Sequence, residues 1–404
     1  MIEKADPDRY AGSKGRDGKV SPGDNRTGTI AGLGTLLLAA QAAGPIRVPE
    51  DRPTIQEAVN AARDGDTVLV SPGLYRENVR IRGKTITLAS RFLQSRDPRD
   101  VEGTVLDGGR RTVVTVEKDA GPGTRIVGLT LQNGEDGICL DGARIQILHN
   151  RIRGNRKEGV SSEGGGGLCR ANVIEDNGDD GIDCDGPTEI LIEENTIRNN
   201  GDDGIEIRLH PYKGPRLTLA IRNNRICGNR EDGIQLIDYP GPSDRRFQIE
   251  RNILRANAMA GVGCMEDGDT RENFRGAPLQ EPVLVVGNTF VDNLYGLTGG
   301  DNLVAVNNVF TGTKKVALRR LRADSIAAHN LFWKNGTDVE DAAIDRDSTR
   351  FADPLLDEDF RPREGSPCID AGVASWDRGG RRVLELPRDS FLGPAPDLGA
   401  VERR

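Results

Sequence analysis

From about residue 128 to 335 the chain alternates short aliphatic runs with polar corners, and the pattern returns to itself about every 22 residues. Each return is marked by an Asn followed two positions later by Ile, Leu or Phe. These anchors are Asn150, Asn172, Asn195, Asn224, Asn252, Asn288, Asn308 and Asn330, spaced 22, 23, 29, 28, 36, 20 and 22 residues apart. A second Asn column trails most anchors by five residues, at Asn155, Asn177, Asn200, Asn229, Asn257, Asn293 and Asn335. Nine residues behind the first five anchors stand Gly159, Gly181, Gly204, Gly233 and Gly261, usually preceded by an acid and followed by a short alternating strand. Period-two alternation is the signature of strands whose side chains point to opposite faces. A unit of this length with three such segments and no helical period cannot bury its own apolar face, so copies must stack.

The fold class this predicts is all-β, a parallel β-helix of about 22-residue rungs. One inward column is Ile147, Cys169, Ile192, Ile221, Ile249 and Val285; another is Ile138, Val160, Ile182, Ile205, Ile234 and Val262. Neighbouring rungs then sit ~4.8 Å apart. The Asn columns are expected to be structural ladders at the corners. Ahead of the repeat, Thr54-Ile-Gln-Glu57 reads as a capping box, and Ile55, Ala58, Val59 and Ala62 share one helical face. That short helix is expected to plug the open N-terminal end of the coil, whose first rung otherwise exposes unpaired edge groups. Strands are expected over 66–70, 78–81 and 85–88.

The N-terminal region reads differently. Residues 1–28 are polar, Gly-rich and without hydrophobic period, and are expected to be disordered. Residues 29–43 are apolar, too short to span a bilayer, and end in Ala40-Gln41-Ala42, a small-x-small pattern of the kind that follows an export signal. The expected organisation is therefore a disordered segment, a signal-like segment and one coil over 46–402, secreted, periplasmic or on the cell surface. Composition narrows the picture further. Among 404 residues there are 51 Gly but only nine Phe, five Tyr and two Trp, which argues against a compact aromatic core. A net charge of −8 argues against nucleic acid as a partner. The six cysteines form no CxxC pair and are expected to remain free, Cys169 and Cys184 inward and Cys139 outward. A monomer is expected.

Three consecutive rungs carry extra residues at one corner, over 208–216, 238–246 and 265–282. Insertions at one corner map to one face of a solenoid, commonly the binding face. On the strands feeding those loops, alternation turns Asp183 and Asp185 outward, with Glu206 stacked over Asp183 and Arg208 over Asp185; His210, Tyr212 and Lys213 follow. Carboxylates at rung spacing repel, so the group calls for a shared proton or a bound cation, and an oxygen-only donor set suits calcium. Asp183, Asp185 and Glu206 are the expected ligands. The acids in the turns before these strands, Asp136, Glu158, Asp180, Asp203 and Asp232, are explained by Asp-Gly turn preference.

The segment PTIQEAVNAARDGDTVLVSPGLYRE, the repeated N-x-I and DGI units, and the ending FADPLL, FRPREGSPCIDAG and PDLGAVE resemble secreted bacterial right-handed parallel β-helix proteins of the pectin-lyase-like superfamily. The resemblance spans roughly 46–402. It implies a right-handed coil and a polysaccharide partner. By likeness to the lyases of that superfamily, a uronate carboxylate is neutralised by calcium or a basic residue, and Arg208, His210, Lys213 or Glu206 takes part in catalysis, with Tyr212, Tyr239, Arg245 and Arg246 contacting substrate. The runs Gly178-Asp-Asp-Gly-Ile-Asp183 and Gly201-Asp-Asp-Gly-Ile-Glu206 resemble the Asp-Asp element of polygalacturonases, although the Gly-His-Gly and Arg-Ile-Lys elements of those enzymes are absent. The expectation is a lyase or uronate epimerase. A glycoside hydrolase and a non-catalytic carbohydrate-binding or surface scaffold are the alternatives.

Overall fold

The alternating segments pair as the period predicts. The computed structural model describes residues 44–378 and 380–403; the segments read as a disordered leader and an export signal lie outside the described residues. Three parallel sheets of twelve, twelve and eleven strands run along the coil. Each rung visits them in turn. In one rung the strands are Arg144–Leu148, Arg151–Arg153 and Val160–Glu163, in the sheets named here first, second and third. The inward columns hold their register: Ile147, Cys169, Ile192, Ile221, Ile249 and Val285 pair in sequence, as do Ile138, Val160, Ile182, Ile205, Ile234 and Val262. All are buried within one continuous aliphatic core, each contributing roughly 1.5–3 kcal/mol of hydrophobic stabilisation. Toward the C-terminal end the core turns aromatic, with Phe290, Phe310 and Phe332 stacked at 4.5 and 5.2 Å.

The corners explain the Asn columns. Asn150 Nδ2 donates to Asn172 Oδ1 at 3.1 Å, and the chain of amides continues through Asn195, Asn224, Asn252, Asn288, Asn308 and Asn330. The second ladder links Asn155, Asn177, Asn200, Asn229, Asn257 and Asn293 at 2.9–3.1 Å. Each carboxamide supplies both donor and acceptor, which an endless stack requires. The glycine column has a steric cause: a Cβ on Gly181 would lie 2.6 Å from the Gly204 carbonyl oxygen and 2.8 Å from Asn200 Nδ2.

Helix Ile55–Ala61 buries Ile55, Ala58 and Val59 against the first rung, with Ala62 beside them. Thr54 Oγ1 accepts from the Glu57 amide at 3.2 Å, while the Glu77 carboxylate, from a later segment, accepts from the amides of Ile55 and Gln56. The early strands appear at Thr67–Val70, Val79–Ile81 and Thr87–Ser90. Unanticipated elements are two short helices, Phe92–Ser95 and Pro98–Gly103, and an antiparallel hairpin, Ser375–Arg378 with Arg381–Glu385. The six cysteines are free; Cys169 and Cys184 are buried and Cys139 is half-buried. No described helix is long and apolar enough to cross a membrane.

Candidate functional site on the third sheet

The third sheet carries its chemistry on its outer face because its strands alternate strictly. Along Ile182–Asp185, Ile182 and Cys184 are buried while Asp183 and Asp185 turn outward. Register then stacks Ser161, Asp183, Glu206 and Gln235 in one outer column. A second acidic column lies at the turn leading into these strands. The Asp203 amide donates to Asp180 Oδ1 at 2.9 Å, the Asp232 amide to Asp203 Oδ1 at 2.6 Å, and the Ala260 amide to Asp232 Oδ1 at 2.5 Å. The two columns meet: carboxylate oxygens of Asp180, Asp183 and Glu206 lie within 4.8 Å of one another, and two further groups, Asp179 with Asp180 and Asp202, and Asp202 with Asp203 and Glu231, continue the cluster.

Electrostatics follow from this crowding. Burial, then the neighbouring Glu206 charge, pushes Asp183 up to about 7. Burial also raises Asp180, Asp203 and Asp232 well above the usual carboxylate range. Glu206, 3% exposed, is raised by burial while Arg208 pulls it back. Asp183 Oδ1, Asp203 Oδ2 and Asp232 Oδ2 are buried without a hydrogen-bond partner. An orphaned buried carboxylate oxygen costs free energy unless a proton or a cation meets it. The all-oxygen donors of Asp180, Asp183 and Glu206 therefore fit a hard cation such as calcium.

Basic groups border the acids. Arg208 Nη2 reaches Glu206 Oε1 at 2.6 Å, and Nε reaches the same oxygen at 2.7 Å. Burial works against the Arg208 charge, but Glu206 and Asp183 outweigh it and hold the guanidinium protonated more firmly than usual. His210 Nε2 lies 2.9 Å from Asp185 Oδ1, and its ring packs against Tyr239 at 4.1 Å, tilted by 32°. The inserted segments interlock: the Tyr212 amide donates to the Pro242 carbonyl at 2.8 Å, and Gly268 to Asp238 at 2.8 Å. The longest folds back over the sheet. Phe274 packs among Ile237, Ala260 and Met265, and Glu272 Oε1 accepts from Gln235 Nε2 at 2.8 Å, walling one end of the acidic strip.

Several sequence expectations change. Asp185 is not part of the converging carboxylates; it closes its strand, accepting from the Gly186 amide at 2.6 Å and meeting His210, and Asp180 takes its place. Arg245 does not present a free guanidinium. It is 2% exposed and donates to the carbonyls of His210, Ser243 and Gly186, each at 3.0 Å, tying the loops together. Tyr212 lies beneath Arg245 and donates its hydroxyl to the Pro215 carbonyl. Lys213 is exposed and pairs with no described residue. Arg246 leaves from the first sheet, opposite Thr218, on a different face from the acids. The residues missed were Asp180, Asp202 and Glu231; the doubled acids in Asp179-Asp180 and Asp202-Asp203 were their signal, since one Asp satisfies a turn.

The family model described as a right-handed beta helix region matches residues 111–310. No curated protein matches the chain. Solved structures with related form include XylC in complex with xylose, at 12% identity and TM-score 0.43 over 69% of this chain and 72% of that one. Pectate lyase Pel9A aligns at 15% identity and TM-score 0.41, over 87% and 91%. The catalytic unit of a thermostable GH87 α-1,3-glucanase from Streptomyces thermodiastaticus strain HF3-3 aligns at 15% and 0.43, over 78% and 69%. Three parallel sheets wound as one coil, coinciding with that match over residues 111–310, make the fold of this chain a right-handed parallel β-helix.

Proposed function

We propose that the protein is a secreted carbohydrate-active enzyme, a lyase acting on a uronate-containing polysaccharide, with Asp180, Asp183 and Glu206 as ligands for calcium. The observation that carries this reading is the convergence of those carboxylates, one with an orphaned buried oxygen, beside Arg208 and His210. Calcium, when bound, would neutralise a uronate carboxylate and so ease removal of the proton on the carbon alpha to it. Asp185 meets His210 Nε2 and so orients the ring, leaving the other imidazole nitrogen to accept that proton. Arg208, held protonated by its acidic neighbours, serves as a charge that positions an anionic sugar. Tyr239 and the 266–282 segment close one end of the strip.

The test is incubation with a panel of uronate polymers, with and without calcium, following the ultraviolet absorbance of an unsaturated product. Absorbance that appears with calcium and disappears with chelator is expected. His210→Ala should lower turnover on the order of a hundredfold with calcium affinity kept, whereas Asp183→Asn should weaken both. A hydrolase is the second reading, favoured by one observation: Asp183, raised to about 7, adjoins Glu206, whose charge Arg208 supports. Such a divided pair matches a general acid and its carboxylate partner. New reducing ends without ultraviolet absorbance would select it.

A further inference from the structure

A second concavity lies away from the acids, on the outside of the first sheet. It is an open groove of about 820 Å³, within the ~300–1,000 Å³ of ligand clefts. Its floor is aliphatic: Leu284 and Val304 are consecutive outward residues of that sheet. One wall is built by the ends of the inserted segments, with Arg216, Arg246 and Gln280; the other is the C-terminal hairpin, with Arg382. Both walls are departures from the regular rung, so the stacking of the coil does not by itself account for the groove. Besides the buried Arg245, three arginines from three separate segments meet here although the chain as a whole carries a net charge of −8. Arg382 is already engaged, by Asp377 at 2.5 Å and Glu385 at 3.6 Å. Arg216 and Arg246 are exposed, and their side chains make no hydrogen bond or ion pair with a described residue. Of the acids at the rim, Glu281 accepts from the Ser243 hydroxyl at 2.5 Å, and Asp324 is also engaged.

We propose that this groove is a docking site for a carboxylate-bearing polysaccharide chain, separate from the acidic strip of the third sheet. An aliphatic floor suits the C–H face of a pyranose ring. The guanidinium groups of Arg216 and Arg246 suit sugar carboxylates, which they engage through paired, charge-assisted hydrogen bonds. The Gln280 side chain is placed to meet hydroxyls. The inference shares with the proposed lyase only the class of polymer, and requires no chemistry from the groove. Two attachment points on one rigid coil would raise the effective concentration of the polymer at the protein.

The test is calorimetric titration with an oligogalacturonate of defined length in chelator, which removes any cation-dependent contribution from the acidic strip. Saturable binding that weakens as salt is raised is expected. It should fall on the order of tenfold for each of Arg216→Ala and Arg246→Ala and be unchanged in Asp183→Asn. Both arginines are exposed, so an unchanged melting temperature verifies the fold of those variants. Binding that persists undiminished in the double variant, binding lost in Asp183→Asn alone, or equal binding of an uncharged maltooligosaccharide would each overturn the proposal. A chain that binds through the arginines but releases no unsaturated product would defeat the lyase reading and leave the groove standing.

Discussion

Two kinds of polar column run along this coil one rung at a time, and they have opposite characters. In the Asn ladders every amide both gives and receives: Asn195 Nδ2 donates to Asn224 Oδ1 and to the Cys169 carbonyl, while its Oδ1 accepts from the amide and side chain of Asn172. In the Asp180, Asp203 and Asp232 column one oxygen per residue accepts a backbone amide from the next rung, and in Asp203 and Asp232 the other is buried without partner. The spacing is the same and the side chains differ by one atom type. A carboxamide carries a donor and an acceptor and stacks indefinitely; a carboxylate only accepts, and its copies repel. One column is finished by the fold. The other is completed by something outside it, a proton or a cation.

Breaking the finished column should have the largest effect. Asn195→Ala strands the Asn172 donors and the Cys169 carbonyl in a buried corner, and should destabilise the coil by roughly 4 kcal/mol in denaturant titration. Next comes the dependence of the unfinished column on pH and calcium. Burial, first among the causes, raises Asp183, Asp202 and Glu231 to about 7 and Glu158 to about 8, from ordinary values of 3.8 for Asp and 4.5 for Glu. A raised carboxylate pKa means that the folded state holds the proton more tightly than the unfolded chain. The stability this contributes is whole below about pH 4 and is lost as pH rises through 7 to 8. Melting temperature in chelator should therefore fall between pH 5 and pH 8. Calcium at a hundredfold over its dissociation constant should restore about 2.7 kcal/mol at the upper end.

Asp203→Asn converts one rung of the acidic column toward the other kind. It should raise stability by about 1–2 kcal/mol at pH 8 in chelator and by less at pH 5, since burial raises the native carboxyl and falling pH relieves its charge; a gain at pH 5 equal to that at pH 8 would contradict the charge argument. The smallest effect is a repair. The second ladder is interrupted at Thr313, which is buried and whose Oγ1 has no partner. Thr313→Asn should let Asn293 donate to the next rung and add about 1 kcal/mol, read as a small rise in melting temperature.

The repeat was legible because burial and register enforce it residue by residue. The columns of Ile147 and Ile138 follow from period-two alternation, since a slip of one residue would turn each aliphatic side chain to solvent. Asp183, Glu206 and Arg208 were readable as outward for the same reason. Asp180 was not, because Asp-Gly is also what any tight turn prefers, and nothing local tells a capping Asp from one that leans across the strand to meet Asp183. Arg245 was misjudged on similar grounds: a charged residue in an inserted segment reads as exposed, yet its guanidinium is the centre about which carbonyls from three segments close.

By itself, then, the sequence determined the coil, the inward columns, the Asn corners and the corner at which the insertions leave, because each depends on contacts that recur at the repeat length. Only the tertiary structure decided which carboxylates converge, that Asp185 serves His210, and that Arg216, Arg246 and Arg382 border a groove on a separate face. Those arrangements depend on how non-repeating segments fold back over regular strands. Such contacts join residues far apart in sequence with no period to announce them.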